Sequence, residues 1–519
     1  MKKLVSKITF ALGVLASSQL YAAIDTKQLE QTIEHSMSRF DVPGMAVAVV
    51  ENGEVVFSKG FGVRHLETGE TVNKHTLFGI ASNSKAFTAA ALAMLVDQGK
   101  LNWNDKVIDH LPEFRMFDAY ATREVTIRDL LSHRAGLGLG AGDLTIWPDT
   151  DKSVEEVIHG IRYLKPVSSF RSQYTYNNLM FVTAGEVVAR VSGKSWQEFI
   201  EQDMLKPLGM TLSKAGFSRI PKSNNNWATG HIPMDGKLHP FFVNYLEDFR
   251  GAGAIASNVD EMANWLKTQL AGGKLPSGEV LFSEKQQAQM WHPHITSMTS
   301  KSAFNDYRQQ FRGYGLGWSI EDYQGYKKLG HGGGILGMVS QVTLVPEKQL
   351  GIVVLSNQQA FSALSAITHE VLEDALELPN KDWVEMLAKK HFERKKKAYE
   401  KAVVEKPKHL QKALPLSTYA ARYNDAWYGD IVIAEKDSKL TIDFTHSARL
   451  KGTLEHFNGN TFIVRWHEKL LEADAFIEFE MSPNNQVRAA KMRAVAPSVT
   501  DFSFDFHNLN LIPIKSDAP

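Results

Sequence analysis

Three short segments of the chain carry side chains that could together cleave an acyl bond, and the first is Ser82-Asn83-Ser84-Lys85. A serine hydroxyl is a weak nucleophile near neutral pH and needs a neighbouring base. Residues i and i+3 of a helix share one face, so the Lys85 amine can reach the Ser82 oxygen. Burial would lower the lysine pKa from its usual value of about 10.4 toward one suited to proton transfer. Taken alone, the pattern also fits an N-capping serine followed by a solvated lysine.

The second segment is Tyr174-Thr175-Tyr176-Asn177-Asn178. Tyr176 and Asn178 alternate in what we predict to be an extended loop, so both side chains could project toward one site. A phenol can shuttle protons when neighbouring cations stabilise its phenolate. Taken alone, the segment fits an aromatic loop packed on the core equally well.

The third segment is Gly330-His331-Gly332-Gly333-Gly334, which we place just before a strand. Glycines let the backbone approach a substrate closely and aim N–H groups at a developing oxyanion. A glycine-rich turn with an incidental histidine is the alternative interpretation.

Composition narrows the chemistry that these segments could perform. The chain has 519 residues, 43% hydrophobic and 22% charged, which suits two or three separately packed globular domains. The 58 basic and 58 acidic residues give a formal net charge of zero, so we expect no nucleic-acid partner. With no cysteine, disulfides, thiolate metal sites and cysteine nucleophiles are excluded. The Gly-x-Ser-x-Gly elbow of ordinary α/β-hydrolases is also absent.

The amino terminus has the features of a secretory signal peptide. Lysines 2, 3 and 7 precede an apolar run over residues 8–16, and small residues follow at positions 22 and 23. A membrane anchor is the alternative, but the run is shorter than the ~20 residues that cross a bilayer. Removing residues 1–22 leaves 55 basic and 58 acidic residues, a net charge of −3. We therefore expect a periplasmic or secreted protein without stable membrane insertion after cleavage.

The elements that must position the three segments can be predicted from hydrophobic periodicity and turn residues. Asn52-Gly53 between two apolar runs favours a type I′ hairpin, and Gly99 is placed to stop a buried, alanine-rich helix. The predicted helices are 28–39, 82–98 and 360–376, and the predicted strands are 45–50, 55–59, 342–345 and 351–355. Strands near both ends with helices between them indicate an α+β fold whose sheet joins the two ends.

A second unit is predicted beyond the sheet. Residues 379–413 form a lysine-rich stretch typical of a solvated linking helix with one apolar stripe. The stripe consists of Trp383, Met386, Leu387, Phe392 and Tyr399. Short β-type segments recur at 431–434, 440–444, 461–466, 475–481 and 487–492, which indicates a small antiparallel β-barrel or sandwich over residues 414–519. Its core is predicted to include Trp427, Tyr428, Phe462 and Trp466.

The order of the three segments resembles that of serine β-lactamases and penicillin-binding proteins, which carry Ser-x-x-Lys, a Tyr-x-Asn or Ser-x-Asn, and a third triad on an edge strand. The chain resembles the class C β-lactamase branch, the broad family of β-lactamase-related proteins, D-aminopeptidases, D,D-carboxypeptidases and esterases. Further segments that carry the resemblance are Val125-Thr126-Ile127-Arg128-Asp129-Leu130-Leu131-Ser132-His133 with Gly136-Leu137, Pro207-Leu208-Gly209-Met210, Gly251-Ala252-Gly253-Ala254 and Tyr314-Gly315-Leu316-Gly317-Trp318. The resemblance covers residues 24–378. The region after residue 414 is similar to the lipocalin-like barrel often attached to this family.

The resemblance implies an antiparallel sheet flanked by helices, a mostly helical subdomain and a C-terminal barrel, and it assigns roles to single residues. Those roles are nucleophile for Ser82, activating partner for Lys85, proton shuttle toward the leaving group for Tyr176, and a donor that orients substrate or Lys85 for Asn178. The backbone N–H groups of Ser82 and Gly334 would form the oxyanion hole, with Gly333 beside them in the substrate-binding strand. His133 is expected to be structural, capping backbone groups.

His331 stands where many relatives carry lysine, and this departure bears on the substrate. A Lys-Thr-Gly triad supplies a cation and a hydroxyl for a substrate carboxylate, whereas His331-Gly332-Gly333 offers an often neutral ring and no hydroxyl. Relatives with a histidine-glycine version include esterases and D-amino-acid amidases or peptidases. The resemblance therefore favours an esterase, amidase or peptidase over an efficient β-lactamase.

The expectation is an exported serine hydrolase that cleaves a D-amino-acid peptide or amide, or a small ester, through a Ser82 acyl-enzyme. The alternatives are a β-lactamase or D,D-carboxypeptidase, and a slowly acylating or non-catalytic penicillin-binding protein that holds cell-wall peptides. No cofactor and no metal are expected. The partner would be a small molecule or short peptide, and the barrel could mediate oligomer assembly.

Overall fold

The structure is a computed structural model that describes residues 24–242, 246–405 and 407–514. The signal peptide predicted over residues 1–22 lies outside the described residues. Within the described residues, no helix combines the length and the apolar character needed to cross a membrane.

Residues 24–378 form an eight-stranded antiparallel sheet with helices on both faces, in the spatial strand order β2-β1-β12-β11-β10-β9-β8-β7. The strands of this sheet are β1 Gly44–Glu51, β2 Glu54–Gly62, β7 Ile295–Thr296, β8 Arg312–Tyr314, β9 Ser319–Tyr323, β10 Tyr326–Ile335, β11 Met338–Val345 and β12 Leu350–Ser356. Two short pairs lie outside it: β3 Phe78–Gly79 pairs with β6 Ala256–Ser257, and β4 Gly230–Met234 pairs with β5 Lys237–Phe241. The helices are α1 Thr26–Arg39, α2 Ser84–Asp97, α3 Val107–His110, α4 Ala119–Glu124, α5 Ile127–Leu130, α6 Val154–Gly160, α7 Leu179–Ser192, α8 Trp196–Phe199, α9 Val259–Leu270, α10 Glu284–Met290, α11 Lys301–Tyr307, α12 Phe361–Ala375 and, beyond the sheet, α13 Trp383–Lys401. The predicted α+β class is confirmed.

The central strands are buried on both faces, which explains their nearly continuous apolar sequence. In β1, Met45, Val47 and Val49 face the core formed with α1 and α12. The alternate residues Ala46, Ala48 and Val50 face the core that contains α2 and α7. The hairpin between β1 and β2 has positive φ at both Asn52 (51°) and Gly53 (82°), as the predicted type I′ turn requires.

Helix α2 packs between the sheet and the helical subdomain formed by residues 100–229. Nearly all of its residues are buried, and small alanines let neighbouring elements approach from every side. It ends before Gly99, whose φ of +68° is the left-handed conformation expected of a helix stop. Strands β10 and β11 contact the amino end of α2 at the turn that contains Ser82, which is described below.

The carboxyl-terminal unit is an eight-stranded antiparallel sheet that curls into a nearly closed barrel, in the order β19-β18-β17-β16-β15-β14-β13-β20. Its strands are β13 Ala421–Asp425, β14 Gly429–Lys436, β15 Lys439–Phe444, β16 Lys451–Asn458, β17 Thr461–Trp466, β18 Ala475–Met481, β19 Val487–Ala494 and β20 Ile512–Pro513. Two backbone hydrogen bonds between Ala490 and Leu511 bring the last segment against β19 and complete the ring. The barrel fold is confirmed, and the four aromatic residues predicted for its core are buried.

The linking stretch contains α13, a helix as predicted, whose apolar stripe is fully buried only near its amino end. Trp383 and Leu387 are buried, whereas Phe392 and Tyr399 are 38% and 40% exposed. Phe392 still stacks on Phe40, with ring centres 6.1 Å apart, and the Tyr399 hydroxyl donates to Glu472 of the barrel at 2.5 Å. The stripe therefore anchors the helix along its length, while the lysines lie in solvent.

Candidate active site

Ser82 lies in a tight turn at the amino end of α2. Residues Ala81–Asn83 form one turn of 3₁₀ helix, and α2 continues from Ser84. Ala81 has φ of +47°, a left-handed conformation that costs free energy for a residue with a Cβ and is often found at functional sites. The Ser84 hydroxyl accepts a hydrogen bond from the Ile255 N–H (3.1 Å) and holds the turn in place. Ser82 itself is half-buried, so its hydroxyl can meet a substrate.

Lys85 is fully buried one helical turn after Ser82. Its Nζ donates to Ser82 Oγ at 3.0 Å, Asn178 Oδ1 at 2.8 Å and the Ala252 carbonyl at 2.8 Å. Burial lowers the pKa of Lys85 to about 7, with the nearby Asp143 carboxyl acting in the opposite direction. At neutral pH a substantial fraction of this amine is therefore unprotonated and can accept the Ser82 proton.

Tyr176 reaches the same hydroxyl from the loop that precedes α7. Its Oη donates to Ser82 Oγ at 2.7 Å, and Lys85 Nζ lies 4.8 Å from the centre of its ring. Burial raises the pKa of Tyr176, with the Ser82 hydrogen bond acting the other way. The phenol is therefore protonated in the resting site and is placed to donate a proton. A phenolate could form only when the adjacent Lys85 carries its charge.

Asn178 joins Lys85 to the interior of the helical subdomain. The predicted extended loop is not extended at this point, because Asn178 has φ −78° and ψ −35° and caps α7. Its Oδ1 accepts from Lys85 Nζ, and its Nδ2 donates to Asp143 Oδ2 at 2.8 Å. Asn178 therefore contacts Lys85, but as an acceptor and not as the donor that the resemblance implied, because an ammonium or amine nitrogen bound through its hydrogen needs an oxygen partner.

His331 and the glycines after it lie within strand β10 rather than just before a strand. Three consecutive glycines have little strand propensity, and pairing with β11 supplies the order that the local sequence lacks. A Cβ on Gly333 would stand 2.1 Å from the Ile80 carbonyl oxygen, so only glycine lets β10 lie this close to the turn that contains Ser82. Gly332 and Gly334 face the Phe361 ring on the opposite side of the strand.

His331 is buried and uncharged. Its Nδ1 lies 2.6 Å from the Gly332 carbonyl, which requires Nδ1–H to donate, so Nε2 accepts from the Tyr314 hydroxyl at 2.8 Å. Burial, assisted by the charge of Lys85, lowers the pKa of His331 to about 3. The third segment therefore presents no cation to a substrate carboxylate.

His133 supports Tyr176 from behind. Its Nδ1 accepts the Asn177 N–H at 3.2 Å, and its ring centre lies 4.2 Å from that of Tyr176. Burial holds its pKa well below the usual value, so the ring is neutral. The geometry agrees with the structural, backbone-capping role expected from the sequence.

Several contacts at the site were not predicted from the sequence. Asp143 and Ser503 are distant in sequence and belong to no recognised pattern. Ser340 links β11 to the turn that contains Ser82, because its hydroxyl accepts from Asn83 Nδ2 and donates to the Ile80 carbonyl. Ala252 and Tyr314 lie in two segments quoted for the family resemblance, which was the only available signal for them. Within the described residues, no group of three or more His, Cys, Asp or Glu side chains is placed to hold a metal ion.

Two sequence families match separate parts of the chain. The family described as Beta-lactamase matches residues 29–375, and a Domain of unknown function (DUF3471) matches residues 405–513. Together they cover the sheet-and-helix unit and the barrel.

Individual proteins resemble most of the chain or a large part of it. Unguisins hydrolase ungD' from Aspergillus campestris (strain IBT 28561) is 27% identical over 480 residues, which cover 88% of this chain and 86% of the relative. The octameric penicillin-binding protein homologue from Pyrococcus abyssi superposes with a TM-score of 0.62 at 22% identity, covering 94% of this chain and 100% of that one. A class C beta-lactamase superposes with a TM-score of 0.55 at 20% identity, covering 69% of this chain and 99% of that one. The solved structures share the fold.

Proposed function

The chain belongs to the beta-lactamase family, and on that premise we propose that it is an exported serine hydrolase that opens an amide or ester bond through an acyl-enzyme on Ser82. The observation that carries the proposal is that Lys85 Nζ and Tyr176 Oη converge on Ser82 Oγ at 3.0 and 2.7 Å. Export rests on the signal-like sequence of residues 1–22.

In the acylation step, unprotonated Lys85 accepts the Ser82 proton while Oγ attacks the substrate carbonyl. Tyr176 donates its hydroxyl proton to the leaving nitrogen or oxygen as the scissile bond breaks. The acyl-enzyme then holds a Lys85 ammonium beside a Tyr176 phenolate, and the 4.8 Å separation between Nζ and the ring centre lets the two charges stabilise each other.

Deacylation returns both protons. The Tyr176 phenolate takes a proton from the attacking water, and the hydroxide oxygen bonds to the acyl carbon. The Ser82 oxygen leaves and takes its proton back from Lys85. The balance over both steps is one water consumed, with one acid and one amine or alcohol released.

The environment of His331 favours some substrates of this family over others. Because the ring is neutral and both of its nitrogens are engaged, it offers neither a cation nor a free donor to a carboxylate. Amides of D-amino acids and small esters therefore fit better than β-lactams or peptides with a free carboxyl terminus. The hydrolase named for unguisins among the relatives supports hydrolysis as the reaction class.

The test is a panel of substrates with the mature protein and a Ser82→Ala control. The panel contains D- and L-aminoacyl amides, short esters and a chromogenic cephalosporin. Turnover of amides or esters that Ser82→Ala abolishes is the expected result. Rapid cephalosporin hydrolysis would favour a β-lactamase, and one equivalent of product without turnover across the panel would favour the slowly acylating binding protein.

A further inference from the structure

The barrel contributes a side chain to the hydrogen-bonded chain that ends at the nucleophile. Ser503, in the segment that follows β19, donates through Oγ to Asp143 Oδ2 at 2.9 Å. The same Asp143 oxygen accepts from Asn178 Nδ2, and Asn178 Oδ1 accepts from Lys85 Nζ. Asp143 and Lys85 are fully buried, and Ser503 is 4% exposed.

The Asp143 turn is also anchored to the barrel through its backbone. Gly142 has φ of +83° and donates its N–H to Asp505 Oδ2 at 2.7 Å. A Cβ on Gly140 would stand 2.7 Å from the Phe502 ring, so the segment 502–505 packs directly on residues 140–143. These contacts fix the position of the Asp143 carboxyl, because the turn at residues 140–143 cannot shift without separating from the barrel.

An asparagine side chain can point either its oxygen or its nitrogen at Lys85, and only the oxygen can accept from the amine. Asp143 settles this choice, because its carboxyl accepts from Nδ2 and thereby turns Oδ1 toward Lys85. The other Asp143 oxygen, Oδ1, is buried and has no hydrogen-bond partner among the described residues. A carboxyl kept in so costly an environment indicates a function other than stability.

We propose that Asp143, held by Ser503 of the barrel, is a positioning residue that fixes the orientation of Asn178 and, through it, the Lys85 amine that activates Ser82. The inference rests on the proposed function. It makes the barrel part of the hydrolytic machinery without placing any barrel residue on the reacting atoms. Burial also raises the pKa of Asp143 to about 8, and the hydrogen bonds from Asn178 and Ser503 oppose that change.

The experiment measures the rate at which a fluorophosphonate labels Ser82, separated into probe affinity and maximal rate. Asp143→Ala should lower the maximal rate about 100-fold, the loss typical of a misplaced catalytic group, with little change in affinity. Ser503→Ala removes one hydrogen bond and should lower it about 3- to 10-fold. Asp143→Asn keeps an acceptor oxygen for both partners and should recover most of the rate lost in Asp143→Ala.

The matched control is Ser447→Ala. Ser447 is a second buried barrel serine that donates to an aspartate of the hydrolase unit, Asp149. None of the described hydrogen bonds connects Asp149 to Asn178 or Lys85. Ser447→Ala should therefore label at the rate of the unmodified protein.

Three results would overturn the inference while leaving the proposed nucleophile intact. The first is an equal loss of labelling rate in Ser447→Ala and Ser503→Ala, and the second is a labelling rate of Asp143→Ala within about twofold of the unmodified protein. The third is an Asp143→Asn variant that labels no faster than Asp143→Ala. If Asp143→Ala fails to fold by circular dichroism, Asp143→Asn and Ser503→Ala against Ser447→Ala decide the question. Failure of the unmodified protein to label at Ser82 is a separate result, which would remove the proposed function and this inference together.

Discussion

Replacing Tyr176 with phenylalanine removes one hydroxyl and retains the ring. The lost group has Ser82 Oγ as its only hydrogen-bond partner among the described residues, and the ring keeps its packing on His133 at 4.2 Å. We therefore expect the free energy of unfolding to change by no more than the contribution of one hydrogen bond, about 0.5–1.5 kcal/mol. Loss of a general acid should cost about 10²- to 10⁴-fold in the acylation rate, or about 2.7–5.4 kcal/mol.

The size of the loss should depend on the leaving group. An amine must be protonated as it leaves, whereas a nitrophenolate departs readily as an anion. In acylation, Tyr176→Phe should therefore lose the full about 10²- to 10⁴-fold on an amide but less than about tenfold on the nitrophenyl ester of the same acyl group. Single-turnover assays on this substrate pair measure acylation apart from the deacylation step that both substrates share, which Tyr176→Phe should slow equally for the two.

Tyr174→Phe is the matched control. Its ring lies 5.7 Å from that of His133, and no described hydrogen bond links its hydroxyl to Ser82. It should retain the rates of the unmodified protein on both substrates. Equal losses in the acylation rates of amide and ester in Tyr176→Phe, or no loss in either, would refute the assignment of Tyr176 as the proton donor.

Three further predictions follow from buried charges. Because burial lowers the pKa of Lys85 to about 7 and the unprotonated amine is the base, kcat/KM should rise tenfold per pH unit below that value and level off above it; a rate that falls as the pH rises through this range would contradict the base role. Because burial lowers the pKa of His331 to about 3, the ring stays neutral between about pH 5 and pH 8, and the ratio of kcat/KM for a substrate methyl ester to kcat/KM for its free carboxylate should not change over that range. A ratio that shifts toward the carboxylate on acidification would show a charged ring. Asp129 is fully buried and accepts from Arg134 and Arg171 at 2.6 Å each, so Asp129→Ala should lower the free energy of unfolding by about 3–5 kcal/mol in urea titrations, and a loss below about 1 kcal/mol would contradict a structural ion pair.

Local sequence was sufficient wherever a short-range signal decides the structure. Asn52-Gly53 specified its turn, Gly99 marked the end of α2, and alternating apolar residues located most barrel strands. Strands β13, β16 and β20 were not predicted. The segments of β13 and β16 mix charged and apolar residues and become strands through pairing with their neighbours, and β20 is only two residues long.

The nucleophile, its base and the phenol could be proposed from the sequence because family motifs join residues that are far apart. Asp143 could not, since its importance comes from Asn178 on one side and Ser503, 360 positions away, on the other. The neutrality of His331 was expected, but its cause, a buried ring with both nitrogens engaged, depends on Tyr314 and on the register of β10. Contacts of this kind join residues far apart in the sequence, so no local sequence pattern indicates them.

The most direct test of covalent catalysis by Ser82 is to quench the reaction during turnover of an amide or ester and locate the acyl group by peptide mass mapping. We predict a mass increase equal to the acyl group on the peptide that contains Ser82, with no adduct in Ser82→Ala. An adduct on another residue, or undiminished turnover by Ser82→Ala, would contradict the account.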